Sequence, residues 1–217
     1  TFAGIVNFEN GTVLNFSGIE TVVCFTPGAM IRTITGKRPV ERLRVGDLVL
    51  TRDHGPQPIR WMGRRTVPAT GRFAPIRIRP GALPDLRTPL LVSPQHRLLI
   101  EGYRAELLFA EREVLAAARH LVDGKHVTVE EGGAVTYIHM MFDDHQLVYA
   151  NGALTESYHP AQYSLGGICE AAREELFAVF PALRSMPESY GRTARRVLRG
   201  RRCRLGRGGC GVLLVGG

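Results

Sequence analysis

Two side chains in this sequence could together transfer an acyl group. Cys24 opens the segment Cys24-Phe25-Thr26-Pro27-Gly28, and His96 closes the segment Ser93-Pro94-Gln95-His96. A cysteine thiolate is a nucleophile, and an imidazole can carry a proton near neutral pH and deliver it to a leaving group. A lone cysteine followed by phenylalanine is more often a small buried hydrophobe. The catalytic interpretation of Cys24 therefore depends on the order of the other blocks in the chain.

Three blocks follow in a recognisable order. Cys24 is followed by an apolar segment that contains Gly46-Asp47, then by Ser93-x-x-His96, and then by Tyr137-Ile138-His139-Met140-Met141-Phe142-Asp143-Asp144-His145. This order resembles the Hint domain (hedgehog/intein) family of self-processing proteins, and it is most similar to bacterial Hint modules at the ends of large secreted proteins. The resemblance covers about residues 24 to 160.

The resemblance implies an N-to-S acyl shift at the Val23–Cys24 bond. The Cys24 thiolate would attack the Val23 carbonyl and replace the peptide bond with a thioester. His96 would protonate the departing amide nitrogen, and the hydroxyl of Ser93, which stands where the family has threonine, would orient the bond. Hydrogen-bond donors are needed for the negative charge that develops on the Val23 oxygen.

A second histidine has two candidates in the third block. In a strand, Tyr137, His139 and Met141 share one face, so His139 could point at the site. His145 instead occupies the position of the family's histidine, eight residues after Tyr137. Both stay open, and Asp143 and Asp144 are candidates to orient either ring.

The end of the resemblance departs from an intein. Ala150-Asn151-Gly152 is similar to the penultimate intein block, but no His-Asn pair follows it. Asn151-Gly152 is most simply a turn. We therefore expect cleavage or transfer of the chain's own upstream segment, resolved by water or a small nucleophile, rather than full splicing. The alternatives are an inactive Hint-derived module with an adhesion or structural role, and a cysteine hydrolase that acts in trans.

The elements that must position these residues are mostly strands. Residues 24–160 contain short β-rich runs separated by glycine and proline, which predicts a mainly β domain. The resemblance implies that this domain is a Hint-like horseshoe of short twisted strands. Residues 105–121 are mixed in propensity. The pattern Leu43-x-x-Gly46-x-x-Val49 recurs as Leu121-x-x-Gly124-x-x-Val127, as an internal duplication would require.

The flanking segments differ from this central domain. Residues 1–23 read as an upstream, extein-like segment with strands at 2–8 and 13–16 joined by a Glu9-Asn10-Gly11 turn. Residues 161–183 form a helical extension, with apolar residues at 168, 172, 176 and 180 and an end at Pro181. Residues 184–217 hold nine arginines against one glutamate, and we expect this tail to be disordered.

Composition excludes several other functions. The net charge of +8 comes entirely from the tail, so the sequence predicts no specific nucleic-acid surface. Of four cysteines only Cys24 lies among the motifs, and the ligand spacing of a zinc site is absent, so neither a disulfide framework nor a metal or other cofactor is expected. There is no apolar run of the roughly 18 residues that a membrane span needs. The resemblance implies a secreted or cell-surface location within a larger bacterial protein.

Overall fold

The computed structural model describes residues 23–160, 168 and 170–198, apart from the side chains of residues 104 and 108. It also describes the backbone of four short strands outside these ranges.

The fold is mainly β with a small helix near its C-terminal end, as predicted. The strands of the first half are β1 (Ala3–Asn7), β2 (Val13–Ser17), β3 (Met30–Thr33), β4 (Gly36–Pro39), β5 (Leu48–Thr51), β6 (Gly55–Pro58), β7 (Trp61–Pro68), β8 (Ile76–Ile78) and β9 (Leu90–Val92). Those of the second half are β10 (Arg97–Glu101), β11 (Glu113–Ala117), β12 (Val127–Val129), β13 (Ala134–Met141), β14 (Leu147–Ala150), β15 (Ala153–Glu156), β16 (Arg196–Val197), β17 (Arg204–Leu205) and β18 (Val212–Leu213). The helices are α1 (Tyr103–Phe109) and α2 (Glu170–Val179), and short 3₁₀ turns lie at Val40–Arg42, Gly71–Phe73, Ala118–His120, Pro181–Arg184 and Pro187–Tyr190.

The largest sheet has the strand order β16-β11-β10-β15-β14-β3-β5-β6, with β4 paired to β3. Next to it, β7 and β13 form a long antiparallel ribbon, and β12, β8 and β9 form a three-stranded sheet. Phe25 joins these parts, because it bridges Val92 at the end of β9 and Ile138 in β13. The segment that carries Cys24 is therefore fixed on both sides by backbone pairing.

Burial of apolar residues explains why these runs form strands. In β8 and β9 the outer residues are buried and the middle residue is half-buried, which is the alternation of a pleated strand. In β13 five consecutive residues from Tyr137 to Met141 are buried, so this strand is covered on both faces. One side of β13 therefore packs in the main core with Ile138 and Met140. The other side lies against Cys24 with Tyr137 and His139.

Several sequence predictions are confirmed at the level of elements. Short strands occupy much of residues 24–160, as predicted, and residues 105–121 are mixed, with the end of α1 followed by β11 and a 3₁₀ turn. The internal repeat also has the same local structure twice. In both copies a 3₁₀ turn precedes a buried leucine, a glycine with positive φ (Gly46 at 91°, Gly124 at 77°) and a strand. The repeated letters therefore correspond to a repeated backbone conformation.

Some of the strands and the helix predicted in the flanking segments are confirmed. Strands β1 and β2 pair antiparallel, while the turn predicted at Glu9-Asn10-Gly11 lies outside the described residues. Helix α2 buries Ala172 and Leu176 and is followed by Pro181, as the four-residue period predicts.

The expected disorder from residue 184 onward does not begin there. Strand β16 pairs parallel with β11, and the Leu198 N–H donates to the Leu115 carbonyl at 2.9 Å. Arg195 binds both carboxylate oxygens of Asp53 at 2.8 and 3.0 Å. These contacts are long-range pairings with no local apolar period, so the sequence gives no sign of them. Within the described residues, no helix is long and apolar enough to cross a membrane.

Candidate active site

Cys24 lies in the core between the β7–β13 ribbon and the loop after β9. The Phe25 N–H donates to the Ile138 carbonyl at 2.9 Å, and the Ile138 N–H donates to the Phe25 carbonyl at 2.8 Å. This pairing sets the Cys24 side chain against Val67 and Tyr137, and only 1% of the residue is exposed. The thiol is therefore shielded from bulk solvent.

His139 contacts both halves of the Val23–Cys24 junction. Its Nδ1 lies 3.0 Å from the Val23 carbonyl oxygen, so Nδ1 carries the proton and donates to that carbonyl. The Cys24 Sγ lies 3.3 Å from Nδ1 and 3.4 Å from Nε2. The alternation of β13 thus directs His139 to the junction, as one of the two alternatives predicted.

Ser93 forms hydrogen bonds on both sides of the Cys24 backbone. The Cys24 N–H, which belongs to the Val23–Cys24 peptide, donates to Ser93 Oγ at 3.0 Å. The Ser93 N–H in turn donates to the Cys24 carbonyl at 3.1 Å. The Ser93 hydroxyl thus contacts the peptide that it was expected to orient.

His96 is buried close to the junction without a hydrogen bond to it. Its N–H donates to the Ser93 carbonyl at 3.0 Å, and its ring packs edge-on against Phe25 with centroids 4.5 Å apart. Neither ring nitrogen has a hydrogen-bond partner among the described residues. Buried polar groups are nearly always hydrogen-bonded, so the unpaired imidazole of His96 is an exception that needs an explanation.

Burial keeps the site uncharged near neutral pH. It raises the pKa of the Cys24 thiol well above its ordinary value, and the positive charge of Arg65 offsets this only in part. Burial also lowers the pKa of His139 to about 4, against the opposing effect of its bond to Val23. The pKa of His96 likewise falls to about 4, chiefly through burial. The resting site therefore contains a thiol and two neutral imidazoles.

His145 is placed elsewhere. Its Nδ1 accepts from the Ala194 N–H at 2.9 Å, and its Nε2 donates to the Ser157 carbonyl at 3.1 Å. The Glu156 carboxylate lies 3.3 Å from the same nitrogen. With both nitrogens engaged in this way, His145 holds the segment after Tyr190 against the domain.

Asp143 and Asp144 are exposed on the surface. Asp143 pairs with Arg60 at 3.1 Å, and no described hydrogen bond links either aspartate to His139 or His145. The orienting role predicted for them has no geometric support. Both follow the end of β13, where the chain leaves the buried ribbon.

Asn151 is a turn residue, as predicted. It has a φ of 52° between β14 and β15. Its Oδ1 accepts from the Met30 N–H and its Nδ2 donates to the Pro89 carbonyl, both at 2.7 Å. The side-chain amide is thus committed to holding two other segments.

Aromatic residues around His139 carry no sequence motif, and their role was not predicted. The rings of Trp61 and Tyr158 have centroids 6.0 and 5.0 Å from the His139 ring. Gly63, opposite His139 in the β7–β13 register, leaves room for the Trp61 indole, because a Cβ there would lie 2.7 Å from Trp61 Cζ2. Trp61 lies near His139 because β7 pairs with β13, and this pairing could not be inferred from the sequence.

Among the described residues, no three histidine, cysteine, aspartate or glutamate side chains are grouped in a way that could hold a metal ion. Cys24 is a free thiol.

A family model described as "Hint domain" matches residues 23–162. The match starts at Val23 and includes Cys24, Ser93, His96 and His139. The chain belongs to the Hint domain family. No curated protein matches it significantly.

Among solved structures, the Hint fold of this chain is similar to inteins and intein-like domains at low identity. A bacterial intein-like domain from Clostridium thermocellum is 16% identical, with a TM-score of 0.46, and the match covers 63% of this chain and 100% of that one. The MchDnaB-1 intein is 13% identical with a TM-score of 0.40 and the same coverage. The gp41-1 intein is 12% identical with a TM-score of 0.38, covering 62% of this chain and 98% of that one.

Proposed function

We propose that this Hint domain cleaves its own chain at the Val23–Cys24 bond. In the first step the Cys24 sulfur attacks the Val23 carbonyl carbon, and the C–N bond breaks as a C–S bond forms. The thiol proton leaves the sulfur and the new amine gains one, so the step conserves protons. A nucleophile such as water then attacks the thioester, releasing the upstream segment and regenerating the thiol.

The observation that carries the proposal is the contact of one imidazole with both reacting groups. His139 Nδ1–H donates to the carbonyl oxygen that must become negative, and its unprotonated Nε2 lies 3.4 Å from the sulfur that must lose a proton. A donor already aimed at the developing oxyanion stabilises the transition state more than the resting peptide.

The nitrogen of the Val23–Cys24 peptide, which must leave, forms its hydrogen bond with Ser93 and not with His139. Ser93 Oγ accepts the N–H of that peptide, which holds the nitrogen facing the Ser93–His96 segment. We propose that His96, whose unpaired ring is neutral at rest, takes up the proton that the thiol releases and delivers it to this nitrogen, which becomes an amine. Without that proton the leaving group would be an amide anion, which is too basic to depart.

Cleavage is favoured over splicing by the residues at the end of the domain. Splicing in inteins ends with the cyclisation of an asparagine. In this chain the residue that lies against His139 is Tyr158, which has no side-chain amide. Both functional groups of the Asn151 amide are hydrogen-bonded within its turn. Neither residue offers a free amide for cyclisation.

The alternatives have less support. A hydrolase acting in trans needs a cysteine that a substrate can reach, and Cys24 is 1% exposed. An inactive module would have no need for a buried histidine whose ring nitrogens lack hydrogen-bond partners among the described residues and whose ring packs on Phe25.

The test is mass spectrometry of the purified chain during incubation with dithiothreitol or hydroxylamine. Cleavage at the proposed bond gives fragments of 23 and 194 residues. Cys24→Ala, which removes the nucleophilic sulfur and leaves only a small space, should stay intact in both reagents. A wild-type chain that remains whole, or a variant cleaved at the same bond, would refute the proposal.

A further inference from the structure

The side chain of Val23, the residue that would be transferred, lies in a closed apolar environment. Val23 is 2% exposed. It belongs to a hydrophobic cluster separate from the main core and from the cluster around Cys24. The side chains of Cys24 and Val23 therefore lie in two different hydrophobic clusters.

Much of the cluster around Val23 comes from the chain beyond the family match, which ends at residue 162. The Hint domain contributes Trp61, Met141 and Tyr158. The later chain contributes Ile168 and, from α2 and the turns after it, Ala172, Leu176, Phe177, Leu183 and Tyr190. Helix α2 packs on β7, the strand that carries Trp61.

Specific polar contacts fix this later segment in place. The Tyr190 hydroxyl donates to the Phe142 carbonyl at 2.8 Å, directly after β13. His159 Nε2 lies 3.2 Å from the Gly191 carbonyl, and the Ala194 N–H donates to His145 Nδ1. Pairing of β16 with β11 extends the attachment to the large sheet. The later segment, and with it the cluster around Val23, is therefore held in place by specific hydrogen bonds and strand pairing.

We propose that Ile168 and residues 170–190 complete a binding pocket for the side chain of Val23, and that this pocket makes the domain selective for a compact aliphatic side chain at position 23. The inference rests on the proposed function and names its substrate class. The walls described above are aliphatic and aromatic, so a charged side chain there would lose its hydration without gaining a partner. A larger side chain would overpack a closed cluster and displace the carbonyl from His139.

The experiment measures the rate of dithiothreitol-induced cleavage for variants of position 23. Val23→Ile, which adds one methylene, should slow cleavage less than Val23→Phe, which should be slower than wild type by about tenfold or more because its ring exceeds the closed space by several carbon atoms. Leu176→Ala in the same chain as Val23→Phe should restore at least part of the rate. Val179→Ala, at an exposed position of the same helix, should not restore it.

Equal rates for Val23→Phe and wild type, or equal rescue by Val179→Ala, would overturn the pocket. If the wild-type chain is never cleaved, the proposed function fails, and the pocket is then judged by stability. In the Cys24→Ala chain, the thermal unfolding changes of Val23→Ala and Leu176→Ala should be non-additive, as they are for residues that pack together. Additive changes would refute the pocket independently of cleavage.

Discussion

At the scale of residues, the site combines groups that a pattern can reveal with groups that it cannot. Cys24, Ser93, His96 and His139 were predicted from block order and strand alternation, and the structure places Ser93 and His139 in contact with the junction. His145 was predicted from its spacing after Tyr137. It lies beyond the end of β13, where alternation no longer applies, and the fold uses its ring to bind Ala194.

His139 provides the sharpest prediction at this scale. His139→Ala removes the donor to the Val23 oxygen, and loss of one such donor lowers a rate by about 100-fold or more. We expect dithiothreitol-induced cleavage, followed by mass spectrometry, to slow by that factor. His126→Ala, which changes a histidine whose side chain is 42% exposed, serves as the control. Comparable slowing in both variants would mean that His139 acts only through stability.

At the scale of elements, the β7–β13 ribbon holds the site together. β13 supplies His139, and β7 supplies Trp61 and the space left by Gly63. Strand β13 was predicted from the sequence, but neither β7 nor the register between the two strands was. Register is set by pairing with a distant strand, and one residue of slip would turn His139 away from Cys24.

Gly63 tests the geometry of this ribbon. Gly63→Ala should force the Trp61 indole to move, because the added Cβ overlaps its ring, and overpacking of this kind costs about 1–3 kcal/mol. We expect a lower thermal unfolding midpoint and slower cleavage. Trp61→Phe in the same chain should recover part of the stability, since the smaller ring leaves room for the methyl group. Failure of this rescue would show that the glycine is needed for another reason.

At the scale of the whole molecule, the sequence predicted the fold class, the helix near residue 170 and the internal repeat. It did not predict the ordered segment up to Leu198. That segment has few apolar residues, and its position depends on partners such as Asp53 and Glu113 that are remote in the chain. Local periodicity carries no information about such pairs.

Stability against acid is a property of the whole molecule. The pKa values of His96 and His139 are about 4 in the fold, against about 6.5 in an unfolded chain. Between pH 6.5 and 4 the unfolded chain takes up protons that the fold does not, so the free energy of unfolding falls as the pH falls. The full loss is on the order of 3 kcal/mol for each ring.

Urea unfolding of the Cys24→Ala chain across this pH range measures the effect. Adding His96→Leu should make the stability less dependent on pH by roughly the contribution of one ring. An unchanged pH dependence would mean that His96 is already protonated, or solvated, in the folded protein.

The burial of Val23 has a consequence for the order of events in biosynthesis. A ribosome makes Val23 well before the residues that enclose it, among them Ile168, Leu176 and Tyr190. The surroundings of this bond therefore exist only on a chain translated almost to Leu198. Any scission that needs those surroundings must wait until that later segment has been synthesised, so the fold itself sets an order between translation of the segment and release of the residues before Cys24.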